Sequence, residues 1–288
     1  MAETPILGVI GGSGLYGMSG LQNAETVEIE TPFGQPSAPI VIGTLSGKRV
    51  AFLARHGIGH HISPTEVNYR ANIYALKALG VKQVVSISAC GSLREDYAPG
   101  SIVIPDQIFD FTHHRQRSFF GEGLVVHIGV ADPLCADLST QVTRAARTAG
   151  ATVHSGGALI TIEGPRFSTK AESNTYRSWG MSIIGMTASP EVFLAREAEL
   201  CYAIMAHVTD YDVWHVSEEP VSVEIVIRTL MHNTETAQEA VKLLVKNLKD
   251  DDCACHHALQ DAIITARERI PAETRQKLGL LVDKYLKP

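Results

Sequence analysis

Apolar residues in this chain fall into short runs closed by turn formers: ILGVIGG, APIVIG, VAFLAR, QVVSISAC, GSIVIP, GALITI, SIIGM and CYAIMAHV. Runs of this length, rich in Val and Ile and bounded by Gly, Pro or Ser, predict buried strands, enough for a sheet of about eight. Between several of them the pattern changes to helical spacing. SPTEVNYRANIYALKALG opens on Ser63, Pro64 and Glu66 and closes on Gly80, which predicts a helix starting at the serine. SPEVFLAREAEL repeats the device with Ser189, Pro190 and Glu191. PLCADLSTQVTRAARTAG and VSVEIVIRTLMHNTETAQEAVKLLVKNL also carry apolar residues at helical spacing. Strands alternating with helices predict an α/β fold with helices on both faces of a mixed sheet. No repeat, low-complexity tract or linker breaks the pattern, so residues 1–288 are expected to form a single domain, helical from about residue 222 onward.

Charge narrows the partners. With 25 basic and 31 acidic residues the net charge is −6, which supplies no basic footprint for nucleic acid or an anionic membrane. No apolar stretch approaches the ~20 residues of a membrane span, and the amino terminus does not read as a secretion signal. A cytoplasmic chain with small-molecule or subunit partners is expected. Five cysteines, Cys90, Cys135, Cys201, Cys253 and Cys255, are few and odd in number, as suits a reducing compartment. The tract CACHH, residues 253–257, could be a metal tract or a strained Cys253–Cys255 link. Zinc sites pair one ligand cluster with a second, and no second cluster in the sequence answers this one, so no metal is expected.

The candidate chemistry sits at strand ends. GGSG, with Ser13, suits either a tight turn or close approach to an anion, and its spacing is not that of a dinucleotide fold. LARHGIGHH places Arg55 and His56 just after a strand, where a guanidinium fork can take a phosphate. SISACGSLRED ends a strand in small residues, among them Ser88, Ala89 and Cys90, that let a ligand lie against backbone amides. Cys90 has no activating histidine beside it and reads as a packing residue. Phe167, after Gly164–Pro165, can stack on a planar ring or join the core, and Met186 and Thr187 offer an apolar surface and a hydroxyl. HVTDYDVW follows a buried strand yet carries Asp210 and Asp212 two residues apart, which alternation would aim at one face. As a pair near one another, one carboxyl could stay protonated and donate to a purine ring nitrogen while the other accepts from an exocyclic amine; as ordinary turn residues, they would cap or face water.

Taken together, IGGSGLY, ETPFGQPS, ARHGIGHHISPTEVNYRANIYALK, ACGSLRED, TIEGPRFST, GMTASPEVFLAREAELCYA and TDYDVW resemble the methylthioadenosine-cleaving branch of the trimeric purine nucleoside phosphorylase family, over roughly residues 5–235. That resemblance implies a mixed, partly barrelled sheet, a homotrimer with sites near subunit interfaces, and phosphorolysis of S-methyl-5′-thioadenosine to adenine and 5-methylthioribose 1-phosphate. Phosphate would be a co-substrate, with no metal or organic cofactor. It implies an anion site of Ser13, Arg55, His56, Ser88, the Ala89 amide and Thr187, with Ser13 and Ser88 standing where some members have threonine. Met186 would lie against the ribose, Phe167 and Ser168 would line the base, and Asp210 and Asp212 would read N7 and the 6-amino group. Val223, Val226 and Ile227 would form the methylthio pocket, with His127 reaching in from a neighbouring subunit. Relatives acting on 6-oxopurines carry asparagine at the first carboxylate, so a 6-oxopurine phosphorylase, or a nucleoside-binding protein without chemistry, are the rival expectations.

Overall fold

The computed structural model describes residues 3–11, 18–216 and 221–286, without the side chains of 230–233. Its strands are β1 (Leu7–Gly11), β2 (Gln22–Val27), β3 (Ile40–Leu45), β4 (Lys48–Ala54), β5 (Gln83–Ser92), β6 (Ile102–Ile104), β7 (Gln107–Phe111), β8 (Val153–Ser155), β9 (Ala158–Ile162), β10 (Ile183–Gly185) and β11 (Cys201–Asp210). The helices are α1 (Tyr69–Ala78), α2 (Ala136–Thr148), α3 (Lys170–Ser178), α4 (Ala188–Glu197), α5 (Val223–Asn247) and α6 (Ala272–Leu286).

One sheet holds all these strands, in the order β2-β3-β4-β1-β5-β10-β9-β7, and it forks at β5, which also pairs β11, then β6 and β8. Strands β4, β1, β5 and β11 are mutually parallel, so their carboxyl ends collect at one edge. Strand β10 runs antiparallel to the far half of β5, with Ile183 opposite Ser92 and Ile184 opposite Gly91. The central strands are apolar on both faces because both faces are covered. Along β11, Tyr202, Ile204, Ala206 and Val208 enter a core that includes Ile73 and Leu76 of α1 and Val192 and Leu194 of α4. Cys201, Ala203 and Met205 enter a second core with Leu138 and Val142 of α2 and Val241 and Leu244 of α5. Each fully buried Leu or Val of this kind contributes on the order of 1.5–3 kcal/mol.

Among the described residues, eleven strands stand where the apolar runs predicted about eight. The additions are β2, whose six residues are largely exposed and polar, and the short β7 and β8, whose contacts are made by the sheet around them rather than by their own pattern. The helix expected from Ser63 starts instead at Tyr69. Ser63 Oγ and its amide both engage Glu66 Oε2, at 2.5 and 3.1 Å, and this closes a single turn. Asn68 then caps α1 through the Ala71 amide at 3.2 Å, while its own side-chain amide is held by the Phe33 carbonyl at 2.7 Å. The device at Ser189 fares better: Ser189 is extended inside α4, so the regular helix runs on from Pro190. Between α5 and α6 the chain is mostly irregular, with short 3-10 turns at Ala254–His257 and Arg267–Arg269, so the carboxy-terminal part is less uniformly helical than expected.

Candidate active site

Arg55 leaves β4 at the carboxyl edge and is tied to the end of β1 by its amide, which donates to the Gly11 carbonyl at 3.1 Å. Its side chain is 1% exposed and meets Glu191 of α4, which is 0% exposed. Nε donates to Glu191 Oε2 at 2.7 Å and Nη2 to Glu191 Oε1 at 2.8 Å, a bidentate pair. Nη2 also donates to Ser86 Oγ at 2.6 Å, and Tyr202 donates to Glu191 Oε1 at 2.6 Å. Burial alone would lower the Arg55 pKa, but the Glu191 carboxylate holds it above its ordinary value. The guanidinium is therefore charged and fixed in place, and Nη1 is its one nitrogen without a hydrogen bond among the described residues. Next to it, burial and then the Arg55 charge push His56 down to about 4, so the ring is neutral at neutral pH. His56 Nδ1 lies 2.9 Å from the Ile62 carbonyl; a proton on Nδ1 satisfies that acceptor and leaves Nε2 as an acceptor.

Ser88 and Ala89 are half-buried on β5, and Thr187 sits at the N-cap of α4 with its hydroxyl unused for capping. Because β10 runs antiparallel to β5, the chain leaving it at Met186 and Thr187 passes back beside Ala89; a Cβ on Gly185 would lie 4.0 Å from the Ala89 carbonyl. Met186 meets the loop after β9 closely: Gly164 has φ +67° and a Cβ there would fall 2.6 Å from Met186 Sδ. Phe167 is half-buried in that loop and Ser168 is buried. Ser13 lies outside the described residues.

Asp210 and Asp212 do come together, by a route other than strand alternation. A bulge between Val208 and Asp210 ends β11, and Asp212 lies beyond it at φ +52°. The Asp212 amide turns back to donate to Asp210 Oδ1 at 2.7 Å, and Thr209 donates to Asp210 Oδ2 at 2.6 Å. Burial is the main reason Asp210 is pushed up to about 6, and the negative charge of Asp212 adds to it. Desolvation, rather than the closeness of the two carboxylates, is the larger cause. Asp212 is also raised by burial, with the Ser173 and Ser168 hydroxyls lying against it and opposing the shift. Ser168 Oγ, Ser173 Oγ and Asp212 Oδ2 are nonetheless buried without a formed hydrogen bond among the described residues. Three polar atoms left unsatisfied together cost several kcal/mol unless a ligand meets them, at about 1–3 kcal/mol each. Gly91 makes room for the pair, since a Cβ there would sit 2.9 Å from Asp210 Oδ1 and 3.0 Å from Ile184 Cγ2.

Helix α5 begins against this turn. The Val221 amide donates to the Asp212 carbonyl at 2.9 Å and Thr229 Oγ1 to the Thr209 carbonyl at 3.3 Å. Val223 and Ile227 are 64% and 51% exposed, Val226 is half-buried, and an open depression of about 710 Å³ is lined by Val223, Glu224, Ile227 and Arg228. His127 is exposed in a segment pinned to residues 262–264 by its own amide, which donates to the Ala262 carbonyl at 2.9 Å. Nothing among the described residues brings His127 to the aspartates.

Several residues that shape the site escaped sequence reasoning. Glu191 read as a helix start signal, and only its burial opposite Arg55 reveals it as a counter-ion. Arg115, in the unremarkable HHRQR, is buried and donates to the carbonyls of Met186, Ser189 and Glu163, each at 2.7 Å, so it ties the Met186–Thr187 corner to the loop carrying Phe167 and Ser168. Cys90 is buried, and burial followed by the Asp210 charge pushes its thiol well above the ordinary range, which fits packing rather than nucleophilic attack.

Anion donors and a protonatable acid pair at the rim of one mixed α/β sheet define a group-transfer enzyme. Residues 6–246 match the phosphorylase superfamily, and the chain belongs to that family, within which it groups with the S-methyl-5′-thioadenosine phosphorylases. It is 53% identical to the S-methyl-5′-thioadenosine phosphorylase of Geobacter sulfurreducens, across 98% of this chain and 99% of that one. Among solved structures, a methylthioadenosine phosphorylase from an Antarctic soil metagenomic library superposes with a TM-score of 0.93 at 47% identity, covering 97% of this chain and 99% of that one. The Schistosoma mansoni methylthioadenosine phosphorylase in complex with adenine gives a TM-score of 0.84 at 36% identity, covering 89% and 98%.

Proposed function

We infer that the chain catalyses phosphorolysis of S-methyl-5′-thioadenosine to adenine and 5-methylthioribose 1-phosphate. The observation that carries the reading is the buried acid pair: Asp210, raised to about 6, faces the same turn as the unsatisfied Asp212, Ser168 and Ser173 oxygens. In this reaction the bond from the anomeric carbon to N9 breaks as a phosphate oxygen bonds to that carbon. The electrons of the broken bond pass into the purine, where a proton delivered to N7 from the Asp210 carboxyl neutralises them. Thr209 Oγ1 can donate to the Cys90 carbonyl, 3.2 Å away, while accepting from a protonated Asp210, so the site accommodates both charge states. Asp212 would accept from the 6-amino group, with Ser168 and Phe167 along the base and Met186 under the ribose.

On the other side, Arg55 Nη1, Ser88, the Ala89 amide, Thr187 and Ser13 would hold phosphate. A neutral His56 with Nε2 as acceptor would take the hydroxyl of hydrogen phosphate, which orients its bare oxygens toward the sugar. Val223, Val226 and Ile227 would receive the apolar methylthio group. Their exposure, together with that of His127, Val125 and Ile264, supports a trimer in which His127 of one subunit completes the pocket of the next. No described helix is long and apolar enough to cross a membrane, which fits a cytoplasmic location. Asp210, where an amide would suit a ring carbonyl and N–H, favours a 6-aminopurine over a 6-oxopurine.

Adenine release measured with and without inorganic phosphate, beside methylthioinosine at equal concentration, tests the reading. Phosphate-dependent release of adenine with slow cleavage of the inosine analogue is expected. Phosphate-independent release, or faster cleavage of the inosine analogue, would overturn it. Gly91→Ala is expected to lower kcat/KM in the same assay by about 10²-fold through displacement of the Asp210 carboxylate. Its melting temperature should reflect only the ~1–3 kcal/mol of overpacking. Light scattering of the eluting protein should return three chains per particle.

A further inference from the structure

The second cluster that CACHH lacks along the sequence is assembled by folding. Cys135 at the N-cap of α2, Cys201 at the first position of β11, and Cys253 and Cys255 around the turn after α5 converge, with all four sulfurs within 4.8 Å of one another. Cys135, Cys201 and Cys255 are buried and Cys253 is partly so. Four zinc–sulfur bonds of about 2.3 Å at tetrahedral angles require sulfur–sulfur edges of about 3.8 Å. Cys135 Sγ and Cys253 Sγ are 3.8 Å apart.

The surroundings match what a thiolate cluster needs. Four thiolates around a divalent ion leave a charge of −2, and groups that donate to sulfur offset it. Arg196 Nη1 lies 3.3 Å from Cys255 Sγ, and its Nη2 is anchored on the Asp132 carbonyl at 2.7 Å. His256 Nε2 lies 3.5 Å from Cys201 Sγ, close enough to donate to it, while His256 Nδ1 is 3.5 Å from Asp252 Oδ1, which helps orient the ring. Cys135 occupies the positive end of α2. A cavity of about 500 Å³, lined by Cys135, Cys201 and Cys253 with Gln141, Lys249 and Asp252, gives an ion a way in.

We propose that Cys135, Cys201, Cys253 and Cys255 form a structural zinc site that fastens the segment after α5 to α2 and β11. Binding converts four thiols and one Zn²⁺ into a tetrathiolate complex and releases four protons, with no change in oxidation state. The closed set of ligands leaves no position for substrate, so the ion is a staple rather than a catalyst. What it fastens is the stretch that places Leu259 and the α6 residues Leu278, Leu281 and Val282 in the core and pins the His127 segment.

The test uses the full chain, purified without air in the presence of a thiol reductant. Elemental analysis is expected to return one zinc per chain. Co²⁺ added to metal-stripped protein should give sulfur-to-cobalt charge transfer and the visible bands of a tetrahedral thiolate site, saturating at one equivalent. The double variant Cys253→Ser/Cys255→Ser should weaken that binding by more than about 100-fold, beyond the loss that an outer partner causes. It should also lower the melting temperature, while phosphate-dependent adenine release at moderate temperature persists. Four titratable thiols with no Co²⁺ spectrum would overturn the proposal, as would disulfides among these cysteines with no metal in the anaerobic protein. The metal content, the Co²⁺ spectrum and the melting temperature stand apart from the substrate assignment, because they do not depend on turnover.

Discussion

Asp210→Asn is expected to lower turnover of S-methyl-5′-thioadenosine by about 10²–10⁴-fold, the range a lost general acid costs, and to shift preference toward methylthioinosine. The amide can donate to a 6-carbonyl and accept from the adjacent ring N–H, but it has no proton to give to N7. The pH profile separates this from a structural loss. Asp210 is raised from 3.8 to about 6, so the free enzyme carries the proton below that value and loses it above. In the unaltered chain kcat/KM should therefore fall as pH rises through about 6, and that limb should vanish in the variant. The stability of the unaltered chain falls over the same range of pH. A carboxyl whose pKa is raised by folding destabilises the folded state as pH climbs from its unfolded value through its folded one, and asparagine removes that penalty. A variant that is inactive yet melts no lower at neutral pH would meet the expectation; unchanged rate and selectivity would refute the assignment.

Glu191→Gln is expected to destabilise the chain by about 3–5 kcal/mol, the cost of leaving a buried charge without its partner. Both charged bonds of the Arg55 fork end on this one carboxylate, and Tyr202 relies on it as well. Inorganic phosphate supplies a replacement negative charge if it binds at Arg55. Thermal melts in graded phosphate should then show the variant gaining more stability than the unaltered chain, while the KM for phosphate changes because the guanidinium is no longer held in one orientation. Equal gains in both proteins would place the anion elsewhere.

Strands buried on both faces were plain in the sequence, because an unbroken apolar run leaves little else to predict. The edge strands β2, β7 and β8 were not, since their pairing depends on neighbours and not on their own pattern. Local signals misled where tertiary anchors compete: Ser63 and Glu66 make a good helix start, but Asn68, held by the Phe33 carbonyl, sets the real one. The aspartate pair was legible as a pair, yet the bulge at Thr209 and the left-handed Asp212 that join them were not, because backbone reversals of this kind carry no periodicity. Glu191 and Arg115 are single charges whose meaning lies in burial, which one sequence does not display. Cys135 and Cys201 sat far from CACHH along the chain and met it only through the packing of α2, β11 and the carboxy-terminal segment.

The fork at β5 places Ser88 and Gly91 on one continuous strand. Three residues of extended chain set the distance between the proposed anion and base sides at about 10 Å, with no hinge or loop in between. The sheet is therefore expected to act as a rigid gauge of about the span of one pentose. Changes at the 5′ position fall outside that span and should be tolerated, whereas a linkage that lengthens the path from base to phosphate has no backbone motion available to accommodate it.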